Sequence, residues 1–252
     1  MDDGDVTAIE KELHRIGVLS EQQLDKAFTY AIRNCSAGTV GILLKHGARL
    51  KRTGMSRFEL RMRGDPAIFQ KLIDNGLEIN STEYGAPWIW VAIHDNEQLL
   101  HWFLDHGADP NMTNRSLPNW VNNDIITPLA YAAEAPEKFG LKILLSRGAN
   151  MDEEAIFRAI AARSHLKKNN VPHIRILLDH GADVNQRSRR WGTPLQHAIW
   201  KGRADMVEFL LERGADPTIA TVRGTPAEHA RNTGRMDIHD LIMKAIQDGR
   251  ST

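Results

Sequence analysis

The chain has 252 residues, 42% of them hydrophobic, and its 32 basic and 32 acidic residues leave a formal net charge of zero. That balance gives no global electrostatic case for nucleic acid or an acidic membrane as partner. Cys35, the single cysteine, excludes an intramolecular disulfide and suits a reducing compartment.

The N-terminal MDDGDVTAIEK is acidic and lacks the apolar stretch of a signal peptide. No run of about 18 apolar residues offers a membrane span, so the expected location is cytoplasm or nucleus. Val6, Ile9, Leu13 and Ile16 recur at helical spacing on a polar background, which predicts a capping helix within residues 1–19. Residues 20–48 follow as a first helical hairpin, with Ser20 and Gln23 spaced as a capping box. A second hairpin over 49–77 has its first helix inferred from position alone, because Met55-Ser56-Arg57-Phe58 carries no helix-start signal. A third, over 78–108, keeps a proline at Pro87 but adds Trp88 and Trp90.

The fourth segment, 109–149, begins with a stretch rich in Asn, Pro and Ser that predicts an enlarged loop, and then starts a helix at Thr127-Pro128-Leu129. The fifth, 150–182, lacks the Thr-Pro signal and has a polar segment from Ser164 to Asn170 between its helices. The sixth, 183–215, is the clearest. Thr193-Pro194 starts a helix where proline forfeits no hydrogen bond, and Gly202 ends it. Met206, Phe209, Leu210 and Leu211 then carry a second amphipathic helix as far as Gly214. The seventh, 216–249, starts at Thr225-Pro226 and places Ile238, Leu241, Ile242 and Ile246 on its second helix.

The same ending closes most of these segments. Two apolar residues, two polar ones and a glycine recur at Gly47, Gly76, Gly107, Gly148, Gly181 and Gly214, at spacings of 29, 31, 41, 33 and 33 by subtraction. A period near 33, with T-P-L at the first helix and L-L-x-x-G-A-D at the second, resembles the ankyrin repeat. The form Trp191-Gly192-Thr193-Pro194-Leu195-Gln196 is similar to one frequent in fungal members. The resemblance implies an all-α solenoid of about seven helix-turn-helix repeats with capped ends, filling one domain over residues 1–252. It further implies a protein-interaction module whose partner lies in the concave groove made by fingertips and first helices.

Carrying that groove over by position nominates particular side chains. In the sixth repeat Leu195, Ala198 and Ile199 face the core, which leaves His197, Trp200 and Lys201 as an exposed stripe at i, i+3 and i+4. Equivalent positions nominate Trp90 and His94, Tyr131 and Glu134, Arg158, and His229; Trp191 joins them at a fingertip, where the repeat usually has glycine. Trp, Tyr and Arg anchors with alanines beside them suit a protein interface. Trp120 in the long loop could close over the same groove, whereas Trp88 and Trp102 fall at core-facing positions. His46, His106 and His180 precede turn glycines, where a helix C-terminus favours a partly cationic ring.

No catalytic motif or cysteine metal clip occurs in the chain, and neither a cofactor nor a metal is implied. The rival reading is a small-molecule pocket or enzyme using His94, Glu134, His197 or His229 as acid or base. Two basic clusters, one from Lys45 to Arg63 and one at Arg187, Arg189 and Arg190, read as solvated edges or as contacts for an acidic segment. Neither is interleaved with aromatics along the sequence, which argues against nucleic acid.

Overall fold

The computed structural model describes residues 3–50, 65–81, 89, 96–113, 126–162 and 170–250. The described residues form thirteen helices and no strand beyond two isolated bridges. The chain divides into two compact units, residues 1–126 and 127–252, with the division at the end of the Asn/Pro/Ser-rich stretch.

The first unit contains α1 (Asp3–Ile16), α2 (Glu21–Asn34), α3 (Ala37–Lys45), α4 (Pro66–Asp74) and α5 (Glu97–Asp105). The helix α1 packs on α3 and buries Leu13. Its approach depends on Gly38, where a Cβ would lie 2.7 Å from Val6 Cγ2. Ser20 caps α2 as its spacing with Gln23 predicts: the Gln23 amide donates to the Ser20 hydroxyl at 3.3 Å, and the Ser20 amide donates back to Gln23 Oε1 at 3.0 Å. Trp102 is half-buried on α5, its ring 5.5 Å from Phe103 and 6.3 Å from Phe69, so it packs over the edge of the core rather than at its centre.

The second unit contains α6 (Pro128–Ala133), α7 (Phe139–Ser146), α8 (Ala155–Ala161), α9 (Val171–Asp179), α10 (Pro194–Lys201), α11 (Ala204–Glu212), α12 (Pro226–Asn232) and α13 (Met236–Arg250). The first helices of successive hairpins pack in one row, α6 on α8 on α10 on α12. The second helices pack in another, α7 on α9 on α11 on α13. The first row can be close because its inward positions are small: Ala130, Ala132, Ala133, Ala155, Ala159 and Ala198 are all fully buried. Leu129, Ile156, Phe157, Ile160, Leu195 and Ile199 fill the seam, each burial contributing about 1.5–3 kcal/mol before entropy.

The turns that end the second helices share one geometry in both units. Gly47, Gly76, Gly107, Gly148, Gly181 and Gly214 have φ between 83° and 93°, a left-handed conformation that costs a side-chain-bearing residue free energy. Behind each lies a closing bond of the kind seen from the Ala215 amide to the Leu210 carbonyl at 2.9 Å. His106 and His180 each place Nδ1 2.8 Å from the carbonyl four residues earlier, so these rings cap helix ends, in keeping with their sequence position. After two of these turns an asparagine ties neighbouring repeats. Asn185 donates to the Gly214 carbonyl at 3.2 Å and accepts from the Asp216 amide at 2.8 Å, and Asn80 does the same to Gly107 and Asp109 in the first unit.

Candidate functional site

The candidate site grows from the two ends of α10. At its start, the Gln196 amide donates to the Thr193 hydroxyl at 3.2 Å while Gln196 Oε1 accepts from the Thr193 amide at 3.3 Å. The same glutamine reaches the Gly224 carbonyl of the next repeat at 2.7 Å. Just upstream, Ser188 and Gly192 exchange backbone hydrogen bonds of 2.8 and 2.9 Å, closing a tight turn over residues 189–191 that presents Trp191. At the far end Gly202 stops the helix with φ 69°. A Cβ there would sit 1.9 Å from Arg235 Nη1, so the glycine admits that guanidinium, which donates to the Trp200 carbonyl at 3.0 Å.

Between these ends lies an aromatic cluster. The Trp191 ring is 4.8 Å from His197 and 6.0 Å from Trp200, and His197 and Trp200 are 5.6 Å apart. Phe157 of α8 backs the cluster edge-on to His197 at 5.7 Å. Trp200 is 42% exposed and Trp191 is half-buried. Cations sit on the rings: Arg190 is 4.5 Å over Trp191, Lys201 is 4.3 Å over Trp200, and Arg223 is 5.8 Å from Trp200. Arg223 is held there by the carbonyls of Arg190 at 3.1 Å and Trp191 at 3.5 Å. Arg190 and Lys201 are the chain neighbours of the rings they cover, and Arg223 joins the cluster from the next repeat.

His197 corrects the expected exposed stripe. It is fully buried, because α10 is flanked by α8 on one side and α12 on the other and only its last turn, Trp200 and Lys201, emerges. Neither of its ring nitrogens has a hydrogen-bond partner among the described residues. Burial, then the charges of Lys201 and Arg223, push its pKa down to about 3, so the ring is neutral. His229, expected on the same face, is also buried, and burial followed by Arg223 and Arg235 lowers its pKa. Both rings thus fill the seam between first helices in neutral form and do not stand on an exposed stripe.

The remaining nominated residues divide by place. Tyr131 is half-buried and Glu134 exposed at the end of α6; Glu134 accepts a hydrogen bond from Arg158 Nη1 of α8, and Glu154 stands 3.7 Å from the same guanidinium. Trp90, His94, Trp88 and Trp120 lie outside the described residues. Among the described residues no group of three or more His, Cys, Asp or Glu is placed to hold a metal ion, and no helix is long and apolar enough to cross a membrane. The sequence reading missed Phe157, Arg223 and Arg235 as contributors. Arg223 was recoverable from the period, since it stands 33 residues after Arg190, the repeat length.

Residues 129–221 match the family model for ankyrin repeats in three copies. The chain is 35% identical over 127 residues to the ankyrin repeat protein nuc-2 of Neurospora crassa, a match covering 48% of this chain and 12% of that protein. It is 26% identical over 154 residues to a putative ankyrin repeat protein of Acanthamoeba polyphaga mimivirus, covering 60% and 20% respectively. Over 201 residues it is 27% identical to human ankyrin repeat and SOCS box protein 6, covering 70% and 40%. In each case the chain spans well under two thirds of the relative's own length. Residues 129–221 are therefore ankyrin repeats, and the stacked hairpins with left-handed glycine ends in the second unit agree with that match.

Proposed function

We propose that the chain is a non-catalytic protein-interaction module, and that its partner docks on the face made by the fingertips and first helices of the second unit. The observation that carries this reading is the Trp191–Trp200 pair, held from behind by the buried His197 and Phe157 while Trp200 stays 42% exposed. A large apolar ring fixed on rigid elements loses little entropy on binding, which is the character of an interface hot spot. Tyr131 and the Glu134–Arg158 pair extend the same row of first helices toward α6. The working compartment on this reading is cytoplasm or nucleus.

Trp200→Ala tests the assignment. Since the ring is already partly exposed, its loss leaves the hairpin stack intact by circular dichroism. It should weaken a bound protein by about 2 kcal/mol or more. The measurement is affinity purification of wild type beside a Trp191→Ala/Trp200→Ala double variant. Proteins retained equally by both forms would remove this face from the function.

A further inference from the structure

We infer that Arg223 is a positioning residue for the Trp191–Trp200 face: it sets the separation of the two rings although it belongs to the following hairpin. This rests on the interaction-module reading above and adds the start of that next hairpin to the site. One guanidinium meets both tryptophans, by different parts. Its Nη1 donates to the Trp191 carbonyl at 3.5 Å and its Nη2 to the Arg190 carbonyl at 3.1 Å, while its central carbon lies 5.8 Å from the Trp200 ring centre. The backbone that carries one ring and the other ring itself are therefore referred to a single planar group, whose donors form a rigid fork. Arg223 is in turn held by its own tight turn, which Thr221 and Gly224 close with backbone bonds of 3.1 and 3.0 Å. Its amide donates to the Thr221 hydroxyl at 3.3 Å.

The contact is returned from the other side. Gln196 Nε2 donates to the Gly224 carbonyl at 2.7 Å, so the turns over 188–192 and 221–224 are bonded in both directions across the boundary. Support from within the Trp191 turn closes it without aiming it. Ser188 and Gly192 exchange backbone bonds, and the Ser188 hydroxyl accepts from the Arg190 and Trp191 amides at 3.3 Å each. Gln186 donates to the Glu153 carbonyl at 2.7 Å two residues before the turn begins, which fixes the arm at its base. Arg223 acts at the tip, where the tilt of the turn toward α10 decides the 6.0 Å spacing of the rings. A ring already held in its docked position loses less freedom when a partner arrives, so the two bonds contribute to affinity without touching the partner.

The probes for the test are peptides selected from a random display library on the whole chain and weakened at least about tenfold by Trp200→Ala in fluorescence anisotropy. Arg223→Met keeps an apolar stem beside Trp200 and removes both donors. It should weaken these probes by at least about tenfold and alter the near-ultraviolet circular dichroism of the tryptophans. Arg223→Lys keeps the charge but not the fork, and should recover at most part of the loss. Thr225→Ala is the stability control: it removes the hydroxyl that caps α12, so it should lower the unfolding midpoint yet leave affinity near that of wild type. Probes that bind Arg223→Met as tightly as wild type overturn the inference and leave the docking face standing. A loss in Thr225→Ala as large as that in Arg223→Met also overturns it, since Arg223 would then act only through the stability of its hairpin. Full recovery by lysine assigns the effect to charge and overturns it as well. A library that yields no peptide sensitive to Trp200→Ala sinks the docking face, and the inference with it.

Discussion

Two first helices of the second unit, α8 and α10, occupy the same place in adjacent repeats, yet only α10 carries a start signal in its sequence. Thr193 and Gln196 form a capping box for α10, with Pro194 at the first turn. The residue before α8, Glu154, makes no side-chain cap. Its substitute lies two residues upstream: Asp152 accepts from the Glu154 amide at 2.7 Å and from the Thr127 hydroxyl of the previous repeat at 2.5 Å. Both helices are buried to a similar depth, with Ala155, Ile156 and Phe157 matching Pro194, Leu195 and Gln196. A position in the row thus specifies a helix even where the local signal has been lost, because the flanking repeats supply the apolar wall and Thr127 of the previous repeat bonds the capping carboxylate.

The sharpest way to break that comparison is to remove what the weaker helix gives the stronger. Phe157→Ala takes away the ring behind His197 and opens a cavity in the middle of the row. A truncation of this kind costs about 3–5 kcal/mol. Denaturant unfolding should show the loss, and near-ultraviolet circular dichroism should report a change at Trp191 and Trp200 although both lie on the other repeat. A loss below about 1 kcal/mol would mean that the seam around Phe157 is loosely packed, contrary to its burial.

Acid should act on the same contact from the other side. The His197 imidazole takes up a proton at its ordinary value, near 6.5, when the chain is unfolded, but only at about 3 when folded. Between those values the unfolded state binds more protons, so stability is complete above about pH 6.5 and declines as pH falls toward 3. At pH 5 the loss from this group is about 2 kcal/mol, from about 1.5 pH units at 1.36 kcal/mol each. His173 and His229, also lowered by burial, add to the slope in the same direction. Unfolding midpoints measured from pH 7 to pH 4 should show it, and His197→Leu should flatten the profile. An unchanged slope in that variant would place the acid sensitivity on the other two rings.

How much of this could be read in advance follows from where each signal sits along the chain. The glycine ends and Thr-Pro starts are local: φ preferences and cap geometry act within a few residues, so the hairpins around Gly47, Gly181 and Gly214 and the caps at Ser20, Thr127, Thr193 and Thr225 were legible. Trp200 and Lys201 were legible as candidates because helical spacing exposes the last turn of α10, and Trp191 because it stands at a fingertip before that helix. His197 was not. One turn earlier the same spacing points between two neighbouring helices, and a single-helix projection treats as solvent what is the wall of α8. The placing of Arg223 against Trp200 likewise arises across a repeat boundary, where charge counts along the chain carry no information.

The smallest expected effect sharpens the comparison most directly, because it sets the two capping arrangements against each other. Thr193→Ala removes one side-chain acceptor from the start of α10 and should cost about 1 kcal/mol. Asp152→Ala removes the acceptor for the Glu154 amide and also strips the Thr127 hydroxyl of its bond, so it should cost at least as much despite lying outside the helix it caps. Combining Asp152→Ala with Thr127→Val separates the two contributions. If the hydroxyl bond matters, the double variant loses less than the sum of the singles, by about 0.5 kcal/mol or more in a double-mutant cycle. Full additivity would restrict Asp152 to its own repeat, where it serves the Glu154 amide without help from the Thr127 hydroxyl of the repeat before it.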